Sequence, residues 1–155
     1  GYMISKGATT IWELWNGDTA DPAMNSGNHV MLVGDFVIWL FEDLAGICPD
    51  EAQPAFKHII MRPQPVGDLK FAKASYLSPY GKIASHWEKK EGVFDWKITV
   101  PANTTATVYI PAANADSVKE SGEPAAKAEG VELVGMEADH AVFQVGSGSY
   151  HFVSE

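Results

Sequence analysis

Val93-Phe94-Asp95-Trp96-Lys97-Ile98-Thr99-Val100 decides the fold class of this chain. Phe94, Trp96, Ile98 and Val100 fall on one side of an extended backbone, and Val93, Asp95, Lys97 and Thr99 on the other. That alternation predicts a half-buried β-strand. Upstream, Ile83, Ser85 and Trp87 alternate with Ala84, His86 and Glu88. Downstream, Ala106, Val108 and Ile110 alternate with Thr105, Thr107 and Tyr109. Working outward, strands are expected at 57–62, 69–77, 82–90, 93–100, 105–110, 115–119, 131–135, 141–145 and 149–153. Turn signals separate them: Ser78-Pro79-Tyr80-Gly81, Glu91-Gly92, Pro101-Ala102-Asn103, Pro111, Gly122, Gly130 and Gly146-Ser147-Gly148. Short strands at roughly 8–12-residue spacing predict an antiparallel β-sandwich. Its interior is expected to hold Trp87, Phe94, Trp96, Ile98, Val108, Ile110 and Phe143.

The first 50 residues read differently. From His29 to Ala45 there is no proline, and apolar residues at 30, 33, 37, 40, 41 and 44 keep a helical spacing. Met31, Leu32, Phe36, Ile38 and Trp39 fill the other faces, so the expected helix is apolar nearly all round. Asn25-Ser26-Gly27-Asn28 offers N-caps. Gly46 fits the left-handed position after the helix, Ile47 the hydrophobic contact beyond it, and Pro49 stops continuation. Gly7–Trp15 reads as a short helix or extended turn, and Asn16-Gly17-Asp18 and Asp21-Pro22 as a loop. Asp50–Pro54 is a polar linker, placing a domain boundary between 1–50 and 51–155.

A chain of 155 residues has little with which to wrap such a helix. The mismatch, and a start at Gly1-Tyr2-Met3 without a basic-then-apolar leader, suggest a piece of a longer protein. Alone, residues 1–47 are expected to pack on the sandwich, pair with another chain through the 30–44 helix, or lose order.

The net charge of −9, without a basic run, argues against nucleic acid and anionic membrane surfaces as partners. An apolar fraction of 46% and 5 Trp, 5 Tyr and 7 Phe exclude global disorder. Val30–Leu44, the longest apolar stretch, is too short and too charged to span a bilayer. The single Cys48 follows this stretch without a basic neighbour, so it reads as an inert buried thiol. Its nearness to the apolar patch opens a route to non-native cross-linking under oxidation. The redox compartment stays open.

Few residues have a pattern that points to chemistry. His29, His58, His86, His140 and His151 form no metal-ligand motif, and no metal or cofactor is called for. There is no nucleophile elbow and no phosphate-binding glycine loop. Trp12-Glu13-Leu14-Trp15 stands apart, with one carboxylate between two indoles. Indoles stack on sugar faces, and an apolar wall raises a carboxyl's proton affinity towards acid–base use. The same tetrapeptide also suits a helix end with buried tryptophans and a solvated glutamate.

Gly7-Ala8-Thr9-Thr10-Ile11-Trp12-Glu13-x-Trp15, followed by Met24-Asn25-Ser26-x-Asn28-His29, resembles the end of the catalytic domain of α-L-rhamnosidases of glycoside hydrolase family 78. The likeness continues through Ala45-Gly46-Ile47, Phe56-Lys57-His58-Ile59-Ile60-x-Arg62-Pro63, Ser78-Pro79-Tyr80-Gly81-Lys82-Ile83 and Val100-Pro101-Ala102-Asn103-Thr104-Thr105-Ala106-Thr107-Val108. The resemblance implies a mainly β chain: the last helical part of an (α/α)6 barrel, then a C-terminal antiparallel β-sandwich. It implies inverting release of terminal α-L-rhamnose, with Glu13 as the general base, His29 hydrogen-bonding the sugar, and Trp12 and Trp15 as pocket walls. Inversion needs a second carboxyl group as acid, roughly 6.5–9.5 Å from the base. In the family that acid lies far upstream in the barrel. Here Asp18 and Asp21 read as loop residues, and Asp35, Glu42 and Asp43 as part of the helix pattern. The chain alone is therefore expected to be inactive. A free-standing carbohydrate-binding sandwich and a purely structural sandwich remain the alternatives.

Overall fold

The computed structural model describes residues 1–23 and 25–155. Met24, which opens the Met24–His29 motif, lies outside the described residues. The chain divides into two compact units, Gly1–Trp39 and Leu40–Glu155.

Within Leu40–Glu155, the described strands are β1 (Cys48–Pro49), β2 (His58–Met61), β3 (Phe71–Ser78), β4 (Gly81–Lys90), β5 (Val93–Val100) and β6 (Thr105–Pro111). The remainder are β7 (Lys119–Glu120), β8 (Glu123–Pro124), β9 (Val131–Glu137), β10 (His140–Val145) and β11 (Gly148–Ser154). They make a five-stranded sheet, β1-β2-β6-β10-β9, and a six-stranded sheet, β3-β4-β5-β11-β7-β8. The fold is thus mainly β, with the expected sandwich. All seven residues expected inside are buried. The two inner faces form one core, in which Phe143 of β10 and Phe152 of β11 stack at 6.2 Å. Fully burying a side chain of this size contributes about 1.5–3 kcal/mol.

The turns follow their chemistry. Pro79-Tyr80 joins β3 to β4, and Ser78 Oγ holds the turn by donating to Gly81 C=O and accepting from Tyr80 N–H. Glu91 and Gly92, between β4 and β5, both take positive φ, as a tight turn matching strand twist requires.

Two features depart from the simple pattern. β2 and β6 pair in parallel, because the chain leaves β2, builds the β3–β5 meander of the other sheet, and returns alongside. Their shared edge buries His58, whose Nδ1 and Nε2 lie 2.6 and 2.8 Å from the hydroxyls of Thr105 and Thr107. The strand expected at 115–119 is instead a 3₁₀ turn, Ala115–Ser117, followed by the short β7. Asn114 explains the change, since its side chain accepts from Ser117 N–H and caps the turn.

The helix expected from His29 to Ala45 is also shorter and divided. In the first unit it is α2 (Leu32–Trp39), preceded by α1 (Tyr2–Ser5). Val30 and Met31 form a turn rather than a first α-helical turn: the N–H groups of Leu32, Val33 and Gly34 bond three residues back, to the carbonyls of His29, Val30 and Met31, while His29 N–H donates to Ile11 C=O at 2.7 Å. None of α2 is buried, and Val30, Met31, Leu32, Phe36, Val37 and Ile38 are exposed. The apolar patch expected from the sequence is therefore present. Gly7–Trp15 is irregular, the turn-like form of the expectation. No helix among the described residues is long and apolar enough to cross a membrane.

In the second unit Leu40–Leu44 form a π-helical turn. It closes through Ala45 N–H to Leu40 C=O and Ile47 N–H to Phe41 C=O, with Gly46 at φ +70°. A Cβ on Gly46 would lie 2.2 Å from Pro63 N, so both the left-handed backbone and the close approach require glycine.

Candidate active site

Two short segments of the first unit build the site, Thr10–Glu13 and Ser26–His29. Glu13 N–H donates to Ser26 C=O at 3.0 Å, and His29 N–H donates to Ile11 C=O. Thr10 Oγ1 donates to Gly27 C=O at 2.7 Å. The two motifs, separated in sequence by a loop, therefore lie side by side. The asparagine- and serine-rich stretch before the helix serves this clasp as well as local turns. Ser26 Oγ accepts from Asn28 N–H, and Asn25 Nδ2 donates to Asp21 C=O.

The clasp brings two of the sequence-derived candidates together. Glu13 Oε2 accepts from Ser26 N–H at 2.8 Å and lies 3.6 Å from His29 Nδ1. That His29 nitrogen is closed off from solvent and has no hydrogen-bond partner among the described residues. The Glu13 side chain remains 38% exposed, so one end of the carboxylate is tethered while water can still reach it. A carboxylate so placed can accept a proton from water.

The tryptophans part company. Trp12 is half-buried, and its indole lies so close to Gly17 that an added Cβ there would approach the ring to 2.8 Å. Trp15 is 80% exposed.

The loop carboxylates have other work. Asp18 accepts from Tyr2 Oη at 3.0 Å, and its Oδ2 lies 3.4 Å from Lys6 Nζ. Desolvation pushes the Asp18 carboxyl up, but the bonds from Tyr2 and Lys6 outweigh it and hold it below its ordinary value. The same hydrogen bond to Asp18, with some desolvation, raises the Tyr2 hydroxyl. Asp21 Oδ1 caps Ala23 N–H. Among the described residues no group of three or more side chains could hold a metal ion.

Sequence reasoning assigns no role to the partners Thr10 and Ser26, which belong to the two motifs. Their signal is a hydroxyl residue three positions before each candidate, Thr10 before Glu13 and Ser26 before His29, which only pairing of the two segments turns into geometry.

Residues 46–125 match the bacterial α-L-rhamnosidase C-terminal domain. Residues 1–44 match the bacterial α-L-rhamnosidase six-hairpin glycosidase domain. An α-L-rhamnosidase of Streptomyces avermitilis is 37% identical over 157 residues, covering 98% of this chain and 14% of that protein. The crystal structure of a Streptomyces avermitilis α-L-rhamnosidase complexed with L-rhamnose superposes with a TM-score of 0.83 at 36% identity, over 100% of this chain and 14% of the other. The α-L-rhamnosidase structure from Dictyoglumus thermophilum gives 0.82 at 38% identity, over 100% of this chain and 17% of the other. The chain thus spans a small C-terminal part of the relatives it matches. On the sandwich match from residue 46 and the glycosidase-domain match before it, the chain belongs to the bacterial α-L-rhamnosidase family.

Proposed function

We propose that this chain is the C-terminal part of a glycoside hydrolase that releases terminal α-L-rhamnose by inverting hydrolysis. Residues 1–50 are the last helical part of its (α/α)6 barrel, and 51–155 its C-terminal β-sandwich. Glu13 is the general base and takes a proton from the attacking water. His29 hydrogen-bonds the rhamnose ring, and Trp12 and Trp15 wall the pocket. The general acid, which protonates the leaving oxygen, belongs to the barrel upstream. The observation that carries this reading is the pairing of Glu13 with His29 at 3.6 Å, with the carboxylate oriented by Ser26 N–H.

One carboxylate cannot both activate water and protonate the leaving group in a single inverting step, so the chain alone is inactive. General acid assistance is commonly worth about 10²–10⁴-fold, and loss of the pocket removes positioning as well. The apolar face of α2 is covered by the rest of the barrel in the longer protein and drives self-association of the chain alone.

The test is turnover of an aryl α-L-rhamnoside. In the full-length enzyme, Glu13→Gln is expected to remove most of kcat, because an amide cannot accept the proton. Near-normal turnover by that variant would overturn the base assignment. Robust hydrolysis by the 155-residue chain would overturn its reading as a part of the site.

A further inference from the structure

We propose that Thr10 is a positioning residue for this site: its hydroxyl fastens the segment bearing Glu13 to the segment bearing His29, and so sets the placement of the base carboxylate. The inference rests on the reading of Glu13 as the general base. Four hydrogen bonds join the segments. Glu13 N–H donates to Ser26 C=O at 3.0 Å and His29 N–H to Ile11 C=O at 2.7 Å. Ser26 N–H donates to Glu13 Oε2 at 2.8 Å, and Thr10 Oγ1 to Gly27 C=O at 2.7 Å.

Three of the four have backbone donors. Thr10 supplies the one side-chain donor. Within this chain packing adds little to the clasp at this point: Ser26, Gly27 and Asn28 are exposed, and nothing lies within 4 Å of the position a Cβ on Gly27 would take. Gly27 is also the most permissive backbone in the segment, so its conformation relaxes readily once its carbonyl is released. Its neighbour Ser26 carries the N–H that orients Glu13. A general base must hold water in line with the reacting carbon, and a displacement of about 1 Å can cost up to 10²-fold in rate. Thr10 touches neither water nor sugar in this scheme; it acts through the carboxylate.

Thr10→Val keeps the volume and deletes the donor, whereas Thr10→Ser keeps the donor. Both are measured in the full-length enzyme with an aryl α-L-rhamnoside, alone and combined with Glu13→Gln. Thr10→Val is expected to lower kcat about tenfold with KM within about twofold, and Thr10→Ser to stay close to the parent enzyme. On the residual turnover of Glu13→Gln, Thr10→Val is expected to have no further effect, because the group it positions is gone. Unchanged kcat in Thr10→Val, or the same loss in both backgrounds, would overturn the proposal. If Thr10→Val does not fold, Thr10→Cys takes its place: its weak donor gives an intermediate loss under the proposal, and full turnover overturns it. Retained turnover in Glu13→Gln itself defeats the base reading, whereas a dead Glu13→Gln beside a fully active Thr10→Val defeats the positioning role alone.

Discussion

Ser85 Oγ donates a 2.6 Å hydrogen bond to the carbonyl of Ala45. The same oxygen accepts from Trp96 Nε1 at 2.9 Å, and Trp87 Nε1 donates to the adjacent Leu44 C=O at 2.8 Å. At the end of the π turn Leu40–Leu44, the carbonyls of Leu44 and Ala45 are thus satisfied by side chains of β4. A buried carbonyl must find such a partner or destabilise the fold.

Ser85→Ala tests that relay. It strands the Ala45 carbonyl and the Trp96 N–H inside a core where Ser85 is 1% exposed. The expected loss is about 2–4 kcal/mol, read from the urea midpoint of the chain at unchanged slope. A loss under about 0.5 kcal/mol would mean the relay contributes nothing to stability.

Gly46→Ala is expected to be more damaging than an ordinary surface change. The new methyl would need to sit 2.2 Å from Pro63 N and 2.5 Å from Arg62 C, on a backbone at φ +70°. Left-handed strain and overpacking together predict at least about 3 kcal/mol. Calorimetric melting measures it, and a parent-like Tm would contradict the close approach.

Cys48 should react slowly while the chain is folded. Burial first, then the nearby Glu42 and Asp43 carboxylates, push its thiol up to about 11 from 9.0. Its Sγ donates to Glu42 C=O at 3.1 Å. At pH 8 the thiolate is then roughly a hundredfold scarcer than for the unperturbed thiol. Iodoacetamide labelling should speed up on unfolding in urea, and rapid labelling of folded protein at pH 8 would contradict the environment described. Because the folded value is raised, the stability it contributes is complete below pH 9 and is lost as pH rises through about 11. The same scarcity of thiolate slows the oxidative cross-linking that the sequence left open.

If His29 holds the sugar as proposed, His29→Ala in the full-length enzyme should lower kcat/KM for an aryl α-L-rhamnoside by a factor equivalent to about 1–3 kcal/mol, the cost of one lost hydrogen bond. Unchanged kcat/KM would remove His29 from the sugar contacts.

Gly17→Ala separates the two tryptophans. An added methyl must displace the Trp12 indole, whose ring atoms would lie 2.8 Å away, while Trp15 is 80% exposed. If Trp12 walls the sugar pocket, KM in the full-length enzyme should rise about tenfold. Unchanged KM would leave that role to Trp15.

Much of the sandwich was legible in residue order because strand burial has a short period. Phe94, Trp96, Ile98 and Val100 had only one way to share a face, and Glu91-Gly92 could be read as a turn from its own chemistry. The 3₁₀ turn at Ala115–Ser117 was not, because the Asn114 cap outweighs a weak strand pattern by a single side-chain bond. The site was half legible. The motifs singled out Glu13 and His29, but their spacing of sixteen residues says nothing about the 3.6 Å between their side chains.

Sequence alone therefore determined what nearest neighbours control: the strand periods, the glycine turns, the apolar helix and the buried aromatic set. Tertiary structure decided everything that needed a distant partner. It set β2 parallel to β6 around His58, and brought His29 N–H onto Ile11 C=O across eighteen positions. It also turned Leu40–Leu44 into a π turn whose end is satisfied by Ser85 and Trp87. Backbone donors and acceptors are identical at every non-proline residue, so which of them meet across forty positions is settled by packing of the whole chain and not by local order.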